Sequence, residues 1–284
     1  MSDVAGPLLT LPVHSALITA RDAGAVTTDC SLDLDRSTTT VELRGDGWIW
    51  NDRRFPYLAG CKHRTIYYWA DNGFQPLARY TTSLVKLVPT QWGAPTFEID
   101  GIKMLPTLLV SPWDDAGRKV GLIAPRGKRI LDTCGGLGYF AAWCLHGEAA
   151  HVQSYEINPD VLWLRRLNPW SPDYGWSAGD IAALALDKAD VAERISSLPS
   201  ASFDAILHDP PRFGIAGELY SQVLYDQLAR VLKRRGRLFH YTGSPNSRSS
   251  GRDLAGEVAV RLRRAGFTAE LEGDGVLAVK TGSG

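Results

Sequence analysis

The chain has 284 residues, 44% of them hydrophobic, enough for one good-sized core or for a catalytic domain with a smaller companion. Lys plus Arg equals Asp plus Glu at 31 each, so no net field draws in a polyanion, which argues against broad nucleic-acid binding. Neither a basic-then-apolar leader nor a run of roughly eighteen apolar residues is present, so export and a membrane span are not expected, and Cys30, Cys61, Cys134 and Cys144, without a CxxC pair or zinc spacing, read as reduced thiols of a cytoplasmic protein.

Residues 38 to about 105 read as short β-rich runs punctuated by Asp-Gly or Asn-Gly, the pattern of successive hairpins. Residues 38–43 lead through Gly45-Asp46-Gly47 into 48–50, residues 64–69 through Asp71-Asn72-Gly73 into 74–80, and residues 96–99 through Asp100-Gly101 into 102–105. The aromatics crowded here, among them Trp48, Trp50, Tyr67, Tyr68, Trp69 and Trp92, suit the packing of a small sheet; substrate stacking is the other reading. An N-terminal β-rich domain over residues 1–110 follows. Ser111-Pro112-Trp113-Asp114 then reads as an N-cap with proline in the first turn, opening a helix to Ile123 and a second domain over 111–284.

From Arg129 strands and helices alternate. Strands are expected at 129–134, 152–156, 203–208 and 237–241, and helices at 139–146, 158–167, 182–195, 218–232 and 254–265. A closing hairpin, 268–272 and 276–280 around Gly273-Asp274-Gly275, pairs antiparallel across its tight turn. The expected fold class is α/β: a Rossmann-like, mostly parallel sheet covered on both faces, with ligands at the carboxyl ends of its strands. The polar stretch from Gly243 to Gly251 follows a parallel strand, where an active-site lid and an inert loop are both natural readings.

Four places carry chemistry. The strand 129–134 ends in Asp132, Thr133 and Cys134 before a turn, Gly135-Gly136-Leu137-Gly138, in which Gly136 and Gly138 let backbone approach a ligand and the next helix offers free N–H groups. At the end of the second strand Glu156, followed by Ile157, puts a bidentate acceptor where two vicinal ribose hydroxyls would lie. Gly179-Asp180-Ile181 closes the presumed third strand, Asp180 suiting an adenine amine and Ile181 the ring face. The fourth strand ends in His208-Asp209-Pro210-Pro211, a rigid acceptor corner suited to aiming an amine: Asp209 would accept a substrate N–H and the carbonyls of Asp209 and Pro210 would orient the nitrogen. His208 and His240 end neighbouring strands, as proton acceptors or as hydrogen-bonded core residues. Pro211, Arg212, Glu218 and Tyr220 are the substrate-side candidates, each with a structural alternative, and no metal cluster is visible.

Taken in order, Asp132 to Gly138, Glu156, Gly179-Asp180, Asp209-Pro210-Pro211 and the closing hairpin resemble the motif series of class I S-adenosylmethionine-dependent methyltransferases over residues 111–284. Asp132 to Tyr139, Leu167-Asn168-Pro169-Trp170-Ser171, Gly217 to Ser221 and His240 to Gly243 look like a group of predicted archaeal-type methyltransferases related to spermidine synthases. The resemblance implies S-adenosyl-L-methionine as cofactor, with Gly136 and Gly138 at its methionine part, Glu156 at the ribose, Asp180 at the adenine, and Asp209 to Pro211 at the methyl acceptor. Cys134 stands where many members have glycine, a small residue expected to fit. Spermidine synthases, the rival within the fold, are similar through Ile99-Asp100-Gly101 and Leu219-Tyr220-Ser221, but carry an acid three residues before the Asp-Pro, where this chain has Ile206. The resulting expectation is N-methylation of an amine or amide-type nitrogen on a small molecule or peptide, with a homodimer allowed. A nucleic-acid base is the alternative acceptor, resting on Asp-Pro-Pro and on the basic runs 233–237 and 261–264.

Overall fold

A computed structural model describes residues 6–174, 182–243 and 253–282. Its contacts divide the chain into two compact units. Unit 1 is Met1–Trp113 with Trp163–Trp176, and unit 2 is Asp114–Leu162 with Ser177–Gly284.

Unit 1 is built from hairpins. Strands β1 (Leu8–Leu9), β6 (Tyr67–Ala70) and β7 (Gly73–Pro76) form one sheet, and β2 (Thr27–Cys30), β3 (Thr39–Arg44), β4 (Gly47–Trp50) and β5 (Arg53–Pro56) a second. The third contains β8 (Ala78–Tyr80), β9 (Leu84–Val88), β10 (Thr96–Ile99) and β11 (Ile102–Lys103). Asp100 and Gly101 both take positive φ, 49° and 79°, the geometry that matches a two-residue turn to strand twist. The run expected as one strand over 74–80 is split at Leu77, whose N–H turns away to bond Ile66 O at 2.8 Å. Of the clustered aromatics, Trp48 is fully buried, stacked on Phe55 at 4.7 Å, while Trp92 remains 40% exposed. Helix α1 (Leu11–Asp22) has no counterpart among the expected elements; it buries only His14 and Leu17, too little for a visible apolar stripe. The 163–176 segment joins this unit through the Trp170 indole N–H, which donates to Leu34 O at 2.8 Å, and an edge contact of Trp163 on Tyr68.

Unit 2 is the α/β layer. Its helices are α2 (Pro112–Ile123), α3 (Tyr139–His146), α4 (Pro159–Leu167), α5 (Val191–Arg194), α6 (Gln222–Val231) and α7 (Leu254–Arg264), of which α2 begins and α4 ends in unit 1. Seven strands, β12 (Arg129–Asp132), β13 (His151–Tyr155), β14 (Leu184–Asp187), β15 (Phe203–His208), β16 (Leu232–Tyr241), β17 (Phe267–Glu272) and β18 (Gly275–Lys280), lie in the order β14-β13-β12-β15-β16-β18-β17. The first five in that order are parallel and β18 is antiparallel to both its neighbours, as the tight closing turn required. Strand order reverses between β12 and β15, so the crevice opens at their carboxyl ends.

Two expected helices are corrected. Residues 182–195 contain the edge strand β14 and only then, past the cap Asp190, the short helix α5; pairing with β13 overrides the helical propensity of Leu184-Ala185-Leu186. The helix expected from Glu218 begins at Gln222, after the cap Ser221, whose hydroxyl accepts from Leu224 N–H, and residues 217–220 form a 3₁₀ turn. Among the described residues no helix is long and apolar enough to cross a membrane.

Candidate active site

The register Asp132↔Leu207 lays β12 beside β15, so Cys134 and Asp209, each two residues beyond that pair, leave neighbouring strands side by side. Thr133 ties the two exits together: its N–H donates to Leu207 O at 3.1 Å and its hydroxyl meets His208 Nδ1 at 2.7 Å. The glycine turn and the double-proline corner therefore belong to one crevice.

On the β12 side, Gly136 and Gly138 take φ of 50° and 81°, a region costly for a residue with a Cβ, and Gly138 opens α3. Gly136 N–H donates to Glu156 Oε2 at 2.9 Å, and Asn158 N–H donates to Oε1 at 2.8 Å. The acid at the end of β13 is thus held against the glycine turn by backbone, and Ile157 beside it is 60% exposed. Asp132 is fully buried and accepts from Ser154 Oγ at 2.8 Å. Burial, followed by the Glu156 carboxylate, raises the pKa of the Cys134 thiol well above its usual value. Asp180 and Ile181 lie outside the described residues, as do 244–251 of the candidate lid. The third strand closes instead after Asp187, beyond residues 179–181, and Asp190 behind it is occupied in capping α5.

On the β15 side the two histidines are core residues. His208 has Thr133 at Nδ1 and donates from Nε2 to Leu219 O at 2.9 Å; burial lowers its pKa to about 4. His240 donates from Nδ1 to Tyr241 O at 2.8 Å and takes the Tyr225 hydroxyl at Nε2; burial, then His208, pushes its pKa well down. The rings meet edge-on at 4.5 Å, both neutral with both nitrogens engaged. Tyr220 is likewise internal: its hydroxyl donates to Pro211 O at 3.0 Å and braces the proline corner. Arg212 and Glu218 are exposed. Ile206 is fully buried in the sheet core, so an acid at that position would face no ligand, and its absence does not discriminate between amine acceptors.

Asp209 is different. Its carboxylate makes no hydrogen bond to any described residue. Burial raises its pKa to about 6, against the pull of Lys119 and with the push of Asp115 and Asp274. Lys119, 1% exposed, was not singled out in the sequence: its Nζ lies 2.7 Å from Asp115 Oδ2, 3.7 Å from Asp274 Oδ2 and 3.8 Å from the Tyr241 ring centre. Burial opposes its charge, but Asp209, Asp115 and Asp274 outweigh that and raise its pKa. Arg118 closes the group, reaching Asp115 at 3.1 Å and Asp274 at 2.6 Å. Only the Asp115–Lys119 spacing, one helical turn, was legible; Asp274 arrives from the far hairpin. The basic runs spend part of their donors internally, Lys233 on Asp204 at 2.8 Å and Arg263 on Ala269 O at 2.6 Å.

No family model matches the sequence. The uncharacterized protein MJ1233 of Methanocaldococcus jannaschii is 41% identical over 219 residues, 76% of this chain and 73% of that protein. Polyamine aminopropyltransferase 2 of Streptomyces coelicolor is 31% identical over 144 residues, covering 50% of this chain but only 26% of that protein. Among solved structures, a spermidine synthase in complex with the transition state analogue AdoDATO superposes with a TM-score of 0.57 at 16% identity over 72% of each chain, a likeness of fold. The fold is class I methyltransferase-like and related to that of spermidine synthases.

Proposed function

We propose that this chain, which belongs to the same protein family as the uncharacterized MJ1233 of Methanocaldococcus jannaschii, is an S-adenosylmethionine-dependent methyltransferase acting on a nitrogen of a small molecule or peptide. The residues fit an adenosyl group: a turn whose glycines sit at positive φ, an acid fixed beside it, and the exposed face of Ile157. Bound there, S-adenosylmethionine supplies a sulfonium-activated methyl group whose C–S bond breaks as a substrate nitrogen attacks, leaving S-adenosylhomocysteine. Glu156 would hold ribose hydroxyls, and Gly136 and Gly138 would admit the chain of the methionine part. Asp209 would accept the N–H of the acceptor, aim its lone pair and take its proton; the Pro210-Pro211 segment, braced by Tyr220, keeps that carboxylate in place. The neutral, fully bonded His208 and His240 would serve as struts.

The observation that carries this reading is the charge balance at the corner. Asp209 is the acceptor without a hydrogen-bond partner among the described residues, and its charge is already opposed by Lys119, which suits a single amine better than a polycation. Aminopropyl transfer is the second reading, favoured by the likeness to polyamine aminopropyltransferase 2. Incubation of the protein with methyl-labelled S-adenosylmethionine, or with its decarboxylated form, and a panel of amines separates them. Methyl transfer releases S-adenosylhomocysteine and labels the acceptor. Aminopropyl transfer releases methylthioadenosine instead. Calorimetry with no binding of either sulfonium at millimolar concentration would end both.

A further inference from the structure

Three cavities in unit 1 meet at Arg64, all of them distinct from the strand-end site of unit 2. The largest, about 400 Å³, has apolar walls from Leu8, Leu11, Val13, Leu34 and Pro89 and falls within the usual range of small-molecule sites. Ser31 and Thr90 in its wall are bonded internally, to Asp33 and to Ala94 O, but other polar side chains there are unspent. Thr10 lines it and is only 8% exposed, yet its hydroxyl neither caps α1 nor bonds any other described residue. The side chains of Asp35 and His63, also lining it, make no bond to a described residue. The Thr10 residue is largely buried while its unbonded hydroxyl lines the cavity beside the start of α1, where an entering polar group can meet it.

The neighbouring cavities supply charge. One, of about 260 Å³, is lined by Arg64 and Lys103, and the other, of about 210 Å³, by Lys62, Arg64 and Lys86. Asp35 is the acid among the lining residues of the three; Glu98, buried beneath, is already paired with Arg64 and with Lys86 at 3.1 Å. Arg64 keeps more than half of its side chain exposed, so donors remain beyond the one given to Glu98. An apolar slot with an acceptor and a hydroxyl, opening onto a cluster of cations, matches a planar base joined to a phosphate.

We propose that unit 1 binds a nucleotide, with the base in the cavity between α1 and Leu34 and the phosphate on Arg64. Asp35 and Thr10 would pair with the edge of the base, and Lys62, Lys86 and Lys103 would hold further phosphates. The ligand is a free nucleotide or one unit of a single strand, which share this chemistry. The inference goes beyond the methyl-transfer reading and stands or falls without it.

The test uses the full chain, uridine monophosphate and an eight-residue oligouridylate, pyrimidines being poor mimics of an adenosyl group. Saturable binding of uridine monophosphate is expected, weakened at least tenfold by Val13→Trp, which fills the cavity, and several-fold by Asp35→Ala on the exposed rim. An octamer bound at least tenfold tighter, losing that gain in Lys62→Glu/Lys103→Glu and at raised salt, identifies a strand as the source; equal affinities identify the free nucleotide. Absence of binding by both at millimolar concentration, hexyl phosphate binding as well as uridine monophosphate, or unchanged affinity in both Val13→Trp and Asp35→Ala would each overturn the assignment.

Discussion

Two acids stand at the ends of parallel strands in unit 2, and the fold treats them oppositely. Glu156, after β13, gives both oxygens to backbone N–H groups of Gly136 and Asn158. Asp209, after β15, gives neither oxygen to a described residue and is raised by burial to a pKa of about 6. A carboxylate held by backbone keeps its place, which suits holding a ligand. One left unbonded near a buried ammonium, with a pKa of about 6, changes its protonation close to neutral pH, which suits a group that accepts a proton during a reaction.

If that contrast is right, the largest effect comes from Asp209→Ala. Methyl transfer under saturating cofactor should fall about a hundredfold to ten-thousandfold, while calorimetry finds sulfonium affinity within a few-fold of wild type. Glu156→Ala should do the reverse: loss of charged hydrogen bonds worth about 1.5–3 kcal/mol weakens cofactor binding by roughly tenfold to a hundredfold, with turnover at saturation less affected. Equal damage from the two variants to both quantities would erase the distinction.

Acid should act through Asp209. A carboxyl titrating at about 6 is neutral below that pH, so kcat/KM should rise as pH rises through 6 and fall about tenfold per unit beneath it. Lys119 lowers that value, so Lys119→Met should move the acid limb upward; an unmoved limb would assign it to another group. The smallest effect on chemistry is expected from the histidines. His208→Asn and His240→Asn should each cost about 1–3 kcal/mol in denaturant titrations, because buried partners lose their bonds, and should leave the acid limb in place.

How far the sequence reaches is clearest where it failed. β12 and β15 were readable from their apolar cores, because a central strand covered on both faces has little choice of composition, whereas β13, His151–Tyr155, was placed by its position between two helices. β14 was read as helix because an edge strand only partly buried carries no such signature, and the hydrogen bonds that make it a strand belong to β13. The sequence put Glu156, Asp209 and the glycines at strand ends, and they follow β13, β15 and β12 in the structure. Lys119 was missed because nothing local marks a lysine as buried; one of its carboxylates is 155 positions away, at Asp274, in the turn between β17 and β18.

The sequence by itself determined the alternation of strands and helices, the antiparallel finish and the two strand-end acids, since these follow from local periodicity and from turns too short to do otherwise. Only the tertiary structure decided which of the candidate polar side chains are hydrogen-bonded internally and which are left unbonded. His208, His240 and Tyr220 look as reactive as Asp209 along the chain, and differ from it because distant carbonyls and hydroxyls have already taken their hydrogen bonds.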